Sequence, residues 1–313
     1  MSPRPLVLLT DVADLDPAPA LGLLDAAGFD TLVLDLGNDP RVRADAGRAV
    51  AAIAGYAALG EPFFAALPDL GFIATASMGT DMVDSEAAAR HGVRVQPLVG
   101  AATEEVAVHA LALLLSLERR LVEASASVAA GEWSTGLFAV PRRLSNLTLG
   151  LFGLGKIGSE LARIAAPIVG RVIAVDPFVR DAPPGVDELV TFETLLAQSD
   201  VLSLHVPLTP QTRGVIDAVA LAALPDGAVL LNVSRGELVD QDALRAALDS
   251  GHLAGAGLDV LDMEPPRADH PLRSHARAIV TPHMGFLSRE ALLSYETLPA
   301  EAVVAWWRES SAS

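Results

Sequence analysis

The chain contains no cysteine. Disulfides, thiolate metal sites and cysteine nucleophiles are therefore excluded, and no metal site is expected. Basic charge is scarce as well. Lys and Arg number 22 against 39 Asp and Glu, a formal net charge of −17, and basic runs are short, as in Arg119-Arg120 and Arg142-Arg143. Nucleic acid binding needs a basic face to displace counterions from phosphates, and an acidic surface equally disfavours anionic membranes. The most apolar helical stretch, Ala107 to Leu117, is too short and too closely flanked by charge to span a bilayer. The opening, MSPRPLVLLTDVADLD, has only a brief apolar run with acids close behind. It reads as a first strand, not a signal peptide, and the chain is expected in the cytoplasm. No internal repeat of fixed period is present.

What is abundant is Ala, Leu and Val, within a composition that is 51% hydrophobic but only 4% aromatic. That mixture suits helices packed on parallel sheets, and 313 residues suggest two domains. In the first hundred residues, apolar runs at Leu6–Thr10, Thr31–Leu36, Ala51–Tyr56, Phe72–Ser77 and Val93–Gln96 alternate with helical stretches at Pro19–Ala27, Glu61–Leu67 and Ser85–His91, a parallel α/β pattern. One long helix is predicted over Thr103–Ala124, with Glu104 and Glu105 in its first turn. The looser segment AAGEWSTGLFAVPRRLSN follows as an arm. From Leu147 six strands (LTLGLFG, RVIAVDP, VLSLHVPL, AVLLNVS, GAGLDV, AIVTPH) with intervening helices match a doubly wound nucleotide fold. The tail from Ser288 to Glu309 is predicted helical, and the final ESSAS is expected to fray.

A strand runs directly into Gly153-x-Gly155-x-x-Gly158, and a helix follows. Gly153 permits the tight turn. Gly155 lets backbone approach a pyrophosphate at the helix N-terminus, and Gly158 allows close packing of helix on strand. The next strand ends in Asp176, 18 residues after the third glycine. An acid there accepts hydrogen bonds from the adenosine ribose and repels a 2′-phosphate, so NAD is expected over NADP. A turn aspartate before Pro177 is the alternative. His205 ends its strand at the same edge.

Three further residues stand at the carboxyl ends of late strands, where open α/β sheets bind ligands. Arg235, in NVSRGELVD, can fork onto a carboxylate. Glu264 follows GAGLDV, and His283 follows AIV. A Glu beside a His raises the imidazole pKa and fixes its tautomer, giving an acid–base pair. Singly, each has a plainer reading: a surface ion pair for Arg235, a turn before Pro265-Pro266 for Glu264, a loop histidine for His283. Their order and placement strengthen them as a set, one suited to moving a hydride at the 2-carbon of a small 2-hydroxy or 2-oxo acid. His91, His109, His252, His270 and His275 read as structural.

These motifs resemble the D-isomer-specific 2-hydroxyacid dehydrogenases over nearly the whole chain. The resemblance rests on TLGLFGLGKIG, SDVLSLHVPLTPQTRGVID, LLNVSRGELVDQDAL, AGAGLDVLDMEP and TPH, with ASMGTDMVD in the first domain. It implies a Rossmann NAD domain over 102–284, inserted in a flavodoxin-like substrate domain of 1–101 plus 285–313. It implies Arg235, Glu264 and His283 as the catalytic set. The cofactor cradle would comprise Gly153, Gly155, Lys156, Ile157, Gly158 and Asp176. His205, Val206, Pro207, Thr212, Asn232, Val233, Ser234, Asp259 and Gly285 would lie along the cofactor, with Asp259 near the nicotinamide amide. Backbone around Ser77, Met78 and Gly79 would face the substrate carboxylate. Hinges are expected near Gly100 and Gly285, and the segment after Leu121 looks like a dimer arm, implying a homodimer. The sequence is similar to the C-terminal-binding-protein-like and phosphoglycerate-dehydrogenase-like members. It departs from them at Val108, where many have an acid, and at Phe286 and Leu287, where a Trp-Tyr pair is common.

The loop after the third strand contains Tyr56, which reads as pocket or core, and no Lys or Arg lies between Ala49 and Ala89. A phosphorylated substrate would want a cation there, so a glyoxylate- or hydroxypyruvate-like acid is expected. Phosphoglycerate would need a base from a partner subunit, such as Arg142. Competing readings are a formate- or phosphite-type dehydrogenase on the same scaffold, which Glu264 argues against, and an NADH-sensing binding or corepressor-like protein without turnover.

Overall fold

The computed structural model describes residues 3–11, 15–37, 42, 44–137 and 139–311. The expectation of a frayed end falls partly on Ala312 and Ser313, which lie outside the described residues. The chain divides into two compact units, 1–101 with 288–313, and 102–287. The second boundary was expected after 284 and comes after Leu287. The Gly285 N–H donates to the Asp259 carboxylate at 2.7 Å and the Leu287 N–H to the Met284 carbonyl at 2.9 Å, which keeps these residues with the second unit.

The first unit is built on five parallel strands: β1 (Leu6–Leu9), β2 (Asp30–Val33), β3 (Ala49–Ala54), β4 (Phe72–Thr75) and β5 (Arg94–Gln96), in the order β2-β1-β3-β4-β5. Both faces of β1 are covered, so its run LVLL is continuously apolar. Leu6 and Leu8 point to one side, where they join Phe63, Phe64 and Ile73. Val7 and Leu9 point to the other, among Leu24, Phe72, Ala300 and Val303. Helices α1 (Ala18–Ala26), α2 (Glu61–Ala65) and α3 (Ser85–Arg90) connect the strands. The C-terminal helix, Arg289–Ser311, returns to this sheet. Its Trp306 ring stacks on Phe72 at 5.1 Å, and a Cβ on Gly71 would meet that indole at 2.9 Å.

The second unit opens with α4 (Thr103–Glu118) and α5 (Leu121–Ala129). A single helix over Thr103–Ala124 was expected. Arg120, with φ of 55°, breaks it, and its guanidinium then bonds to Glu123 at 2.9 Å in the next helix. The apolar period runs through the break, so the pattern alone does not reveal a single left-handed residue. Seven parallel strands follow: β6 (Thr148–Phe152), β7 (Arg171–Val175), β8 (Glu188–Leu189), β9 (Val201–Leu204), β10 (Ala228–Asn232), β11 (Leu253–Leu258) and β12 (Ala278–Val280). Six were expected; β8 is a two-residue edge strand too short to register as a period. The order β12-β11-β10-β9-β6-β7-β8 places the topological switch between β6 and β9. Helices α6 (Lys156–Ala165), α7 (Phe192–Gln198), α8 (Ala218–Ala222) and α9 (Gln241–Ser250) connect the strands. Both units are therefore doubly wound α/β structures with parallel sheets.

Among the described residues no helix is long and apolar enough to cross a membrane, and no group of three or more His, Cys, Asp or Glu could hold a metal ion.

Candidate active site

At the switch point, β6 leads into the glycine turn. Gly153 has φ of +100°, and a Cβ there would meet the His205 carbonyl at 2.7 Å. A Cβ on Gly158 would stand 2.2 Å from the Gly153 carbonyl oxygen. Gly155, at the N-cap of α6, has nothing within 4 Å of its Cβ position. The turn is thus packed tightly beneath and open above the helix N-terminus, as a pyrophosphate requires. Lys156 is exposed and Ile157 half-buried at the same turn.

Asp176 accepts the Leu154 N–H at 2.8 Å on one oxygen and the Phe178 N–H at 2.9 Å on the other. The turn reading is realised in the second bond. The first ties the glycine turn to the end of β7, a contact the spacing of the motif does not predict. Each carboxylate oxygen keeps a lone pair for a ribose hydroxyl.

His205 follows β9. Its Nε2 lies 2.8 Å from Ser203 Oγ, while Nδ1 is buried without a partner among the described residues. Burial pushes the imidazole down to about 4. An orphaned ring nitrogen beside a turn that excludes a Cβ at Gly153 and Gly158 fits a bound dinucleotide. Val206 and Pro207 continue this edge. Thr212 Oγ1 donates to the Pro207 carbonyl at 2.7 Å and closes the loop on itself.

Asn232, fully buried at the end of β10, accepts the Ser234 N–H at 3.0 Å and donates to the Arg235 carbonyl at 2.8 Å. Ser234 Oγ donates to the Leu204 carbonyl at 2.8 Å, and Val233 is buried. These residues spend their polar groups shaping the loop that carries Arg235. The arginine Nη1 donates to the Ser234 carbonyl at 2.8 Å.

Glu264 and His283 meet. His283 Nδ1 lies 2.6 Å from Glu264 Oε2, and Glu264 Oε1 accepts the Leu261 N–H at 3.0 Å. Partial burial raises the Glu264 carboxyl. The His283 hydrogen bond and charge, the Leu261 amide and the Arg235 charge outweigh that and hold it below its ordinary value. An ionised carboxylate only accepts, so Nδ1 donates and Nε2 is the ring nitrogen not committed to Glu264. His283 has φ of 50°, uncommon outside glycine. Asp259, buried at the end of β11, takes the N–H groups of Met284 and Gly285 at 2.9 and 2.7 Å. A Cβ on Gly285 would meet the Asp259 carboxylate at 2.8 Å.

In the first unit, Ser77 Oγ donates to the Gly79 carbonyl at 2.7 Å. The N–H groups of Ser77, Met78 and Gly79 have no partner among the described residues. Tyr56 is 59% exposed and so is not core. Its N–H and that of Ala57 donate to Asp11 at 3.0 and 3.1 Å. His109, which the sequence marks only as structural, and Thr281, which no motif marks, join the Asp259 network: His109 Nε2 lies 2.9 Å from Thr281 Oγ1. They come from α4 and the end of β12, far apart in sequence and without a shared motif.

The chain is similar to known proteins in sequence and in fold. A D-3-phosphoglycerate dehydrogenase of Mycobacterium leprae is 42% identical over 242 residues, 76% of this chain and 45% of that one. The chain therefore spans less than half the length of that relative. A glycerate dehydrogenase of Methylorubrum extorquens is 40% identical over 233 residues, 72% of each chain. Among solved structures, an NADPH-dependent glyoxylate/hydroxypyruvate reductase of Sinorhizobium meliloti, in complex with NADP and malonate, is 32% identical. It matches with a TM-score of 0.87 over 97% of this chain and 94% of that one. The model of the D-isomer specific 2-hydroxyacid dehydrogenase NAD binding domain matches residues 111–285, which hold the glycine turn, Asp176, Arg235, Glu264 and His283. The chain belongs to the D-isomer specific 2-hydroxyacid dehydrogenase family.

Proposed function

We propose that this chain interconverts a small 2-oxo acid and its D-2-hydroxy acid, with NAD as cofactor. The observation that carries the reading is the His283 Nδ1 contact with Glu264 at 2.6 Å, beside the Arg235 loop. Bound cofactor would supply or accept the hydride at C2. The Arg235 guanidinium holds the substrate carboxylate and polarises the carbonyl. In reduction, His283 Nε2 gives its proton to the carbonyl oxygen as that oxygen gains charge; in oxidation Nε2 takes it back. Glu264 keeps Nδ1–H pointing to itself and compensates the imidazolium charge.

Asp176 supports NAD over NADP, since a 2′-phosphate would meet its carboxylate. The side group of the substrate is small and uncharged or apolar. No Lys or Arg lies between Ala49 and Ala89, which disfavours a phosphorylated acid. Arg142, the base a partner subunit could bring, is already engaged within its own chain. It is bound through two nitrogens to the buried Glu118 and lies 3.6 Å from Asp200. Two copies pair through the exposed apolar residues Leu121, Val122, Val128 and Trp133.

The test follows NADH consumption across a panel of 2-oxo acids. Turnover is expected on short uncharged acids, with His283→Ala lowering kcat about 10²- to 10⁴-fold while NADH still binds. Tight NADH binding with no turnover on any acid would sink the enzyme reading in favour of an NADH-dependent binding protein.

A further inference from the structure

His283 is fastened on both sides to one residue. Its own N–H donates to the Asp259 main-chain carbonyl at 2.8 Å, and the next two N–H groups donate to the Asp259 carboxylate. A left-handed histidine persists only where its surroundings over-determine it. Asp259, 3% exposed, is the group that does so. Its Oδ1 is itself contacted by Thr281 Oγ1 at 2.6 Å, and Thr281 Oγ1 by His109 Nε2 at 2.9 Å. The direction of this chain follows from the inventory of protons. The carboxylate only accepts, and the threonine hydroxyl has one proton, which goes to Asp259. The hydroxyl oxygen therefore accepts, and His109 Nε2–H donates. The same Nε2 stands 3.5 Å from Asp259 Oδ1.

We propose that His109 and Thr281 are positioning residues which, through Asp259, hold the His283 ring in register with Glu264. The chain crosses three elements: α4 carries His109, the residue after β12 is Thr281, and the residue after β11 is Asp259. Three donors of the local chain fill most of the Asp259 carboxylate's capacity, so its first task is this loop. The inference rests on the proposed role of His283 only for its kinetic consequence; the orientation itself is independent of turnover.

The experiment compares Thr281→Val, which removes the hydroxyl at similar volume, with Thr281→Ser, which keeps it. It also compares His109→Ala with His109→Gln, which keeps a donor of similar reach. Readouts are kcat and KM on the best 2-oxo acid, NADH affinity by fluorescence, and the His283 ring resonances over pH by NMR. Thr281→Val and His109→Ala are expected to lower kcat about 10- to 100-fold, with NADH affinity and KM changed less than about threefold and the His283 ring resonances displaced. Thr281→Ser and His109→Gln are expected to restore most of the loss. Unchanged kcat and His283 resonances in Thr281→Val and His109→Ala would overturn the proposal. So would a Thr281→Ser variant as impaired as Thr281→Val, or a matching loss of NADH affinity, which would make Asp259 a cofactor contact first. Should Thr281→Val not fold, the His109 pair carries the same comparison. If the wild type turns over no acid, the proposed function fails, and the His283 resonances alone decide the positioning.

Discussion

The glycine turn and the Arg235–Glu264–His283 cluster are made of opposite materials. The turn is one contiguous stretch of backbone, and it works by leaving side chains out: a Cβ on Gly158 would collide with the Gly153 carbonyl oxygen at 2.2 Å. The cluster comes from loops after three different strands and is built by aiming side chains, each held by neighbouring groups. Asn232 shapes the arginine loop, the Leu261 amide holds Glu264, and Asp259 holds the His283 loop. A turn defined by exclusion fails abruptly when an atom is added. A cluster defined by aim degrades by steps as its supports are removed.

The largest expected effect lies in the turn. In Gly158→Ala the obstacle is backbone, which cannot rotate away, and overpacking of this kind costs about 1–3 kcal/mol. NADH affinity should fall toward the upper end of that range, about 100-fold, in a fluorescence titration. Gly155→Ala is the internal control, because its Cβ meets nothing within 4 Å; its thermal midpoint should match the wild type. Equal behaviour of the two variants would remove the distinction between a packed floor and an open top.

Gly236→Ala tests the cluster. Its Cβ would stand 2.0 Å from the Leu261 carbonyl carbon and 2.4 Å from the Asp262 nitrogen. Gly236 thus lets the arginine loop lie directly on the glutamate loop. Forcing them apart should lower kcat/KM about 10- to 100-fold while NADH affinity stays within about threefold. A parallel loss of NADH binding would mean that turn and cluster share one packing unit.

The same contrast explains what could be read from sequence. The turn, its helix and Asp176 lie within one strand–helix–strand unit, so spacing alone locates them. Arg235, Glu264 and His283 are each unremarkable, yet all sit just beyond a strand, and strand ends are visible as apolar runs. Residues that act across elements left no such mark. His109 looks like any polar residue on an apolar helix, Thr281 like the end of a strand, and the break at Arg120 is hidden within a continuous apolar period. The two-residue β8 and the tether from Asp176 to Leu154 are likewise products of packing.

His205 packs against the backbone-built turn, and it offers the smallest and most specific test of that environment. Its folded value, about 4, lies below the ordinary 6.5 because burial penalises the imidazolium. Between those values the unfolded chain binds the proton and the folded chain does not, so stability rises with pH across that window and is lost as pH falls through it. From pH 7.5 to pH 5 the loss is about 1–2 kcal/mol, allowing for the ring's partial solvent access. Carboxylates titrate in the lower part of this range as well, so the quantity to measure is a difference: the urea midpoint of the wild type against His205→Asn at both pH values. The variant should lose less stability on acidification by that amount. Parallel losses in the two proteins would show that the folded chain admits a proton to His205 freely. The ring would then lie in a solvated part of the crevice, and the turn would be less closed beneath than its glycines indicate.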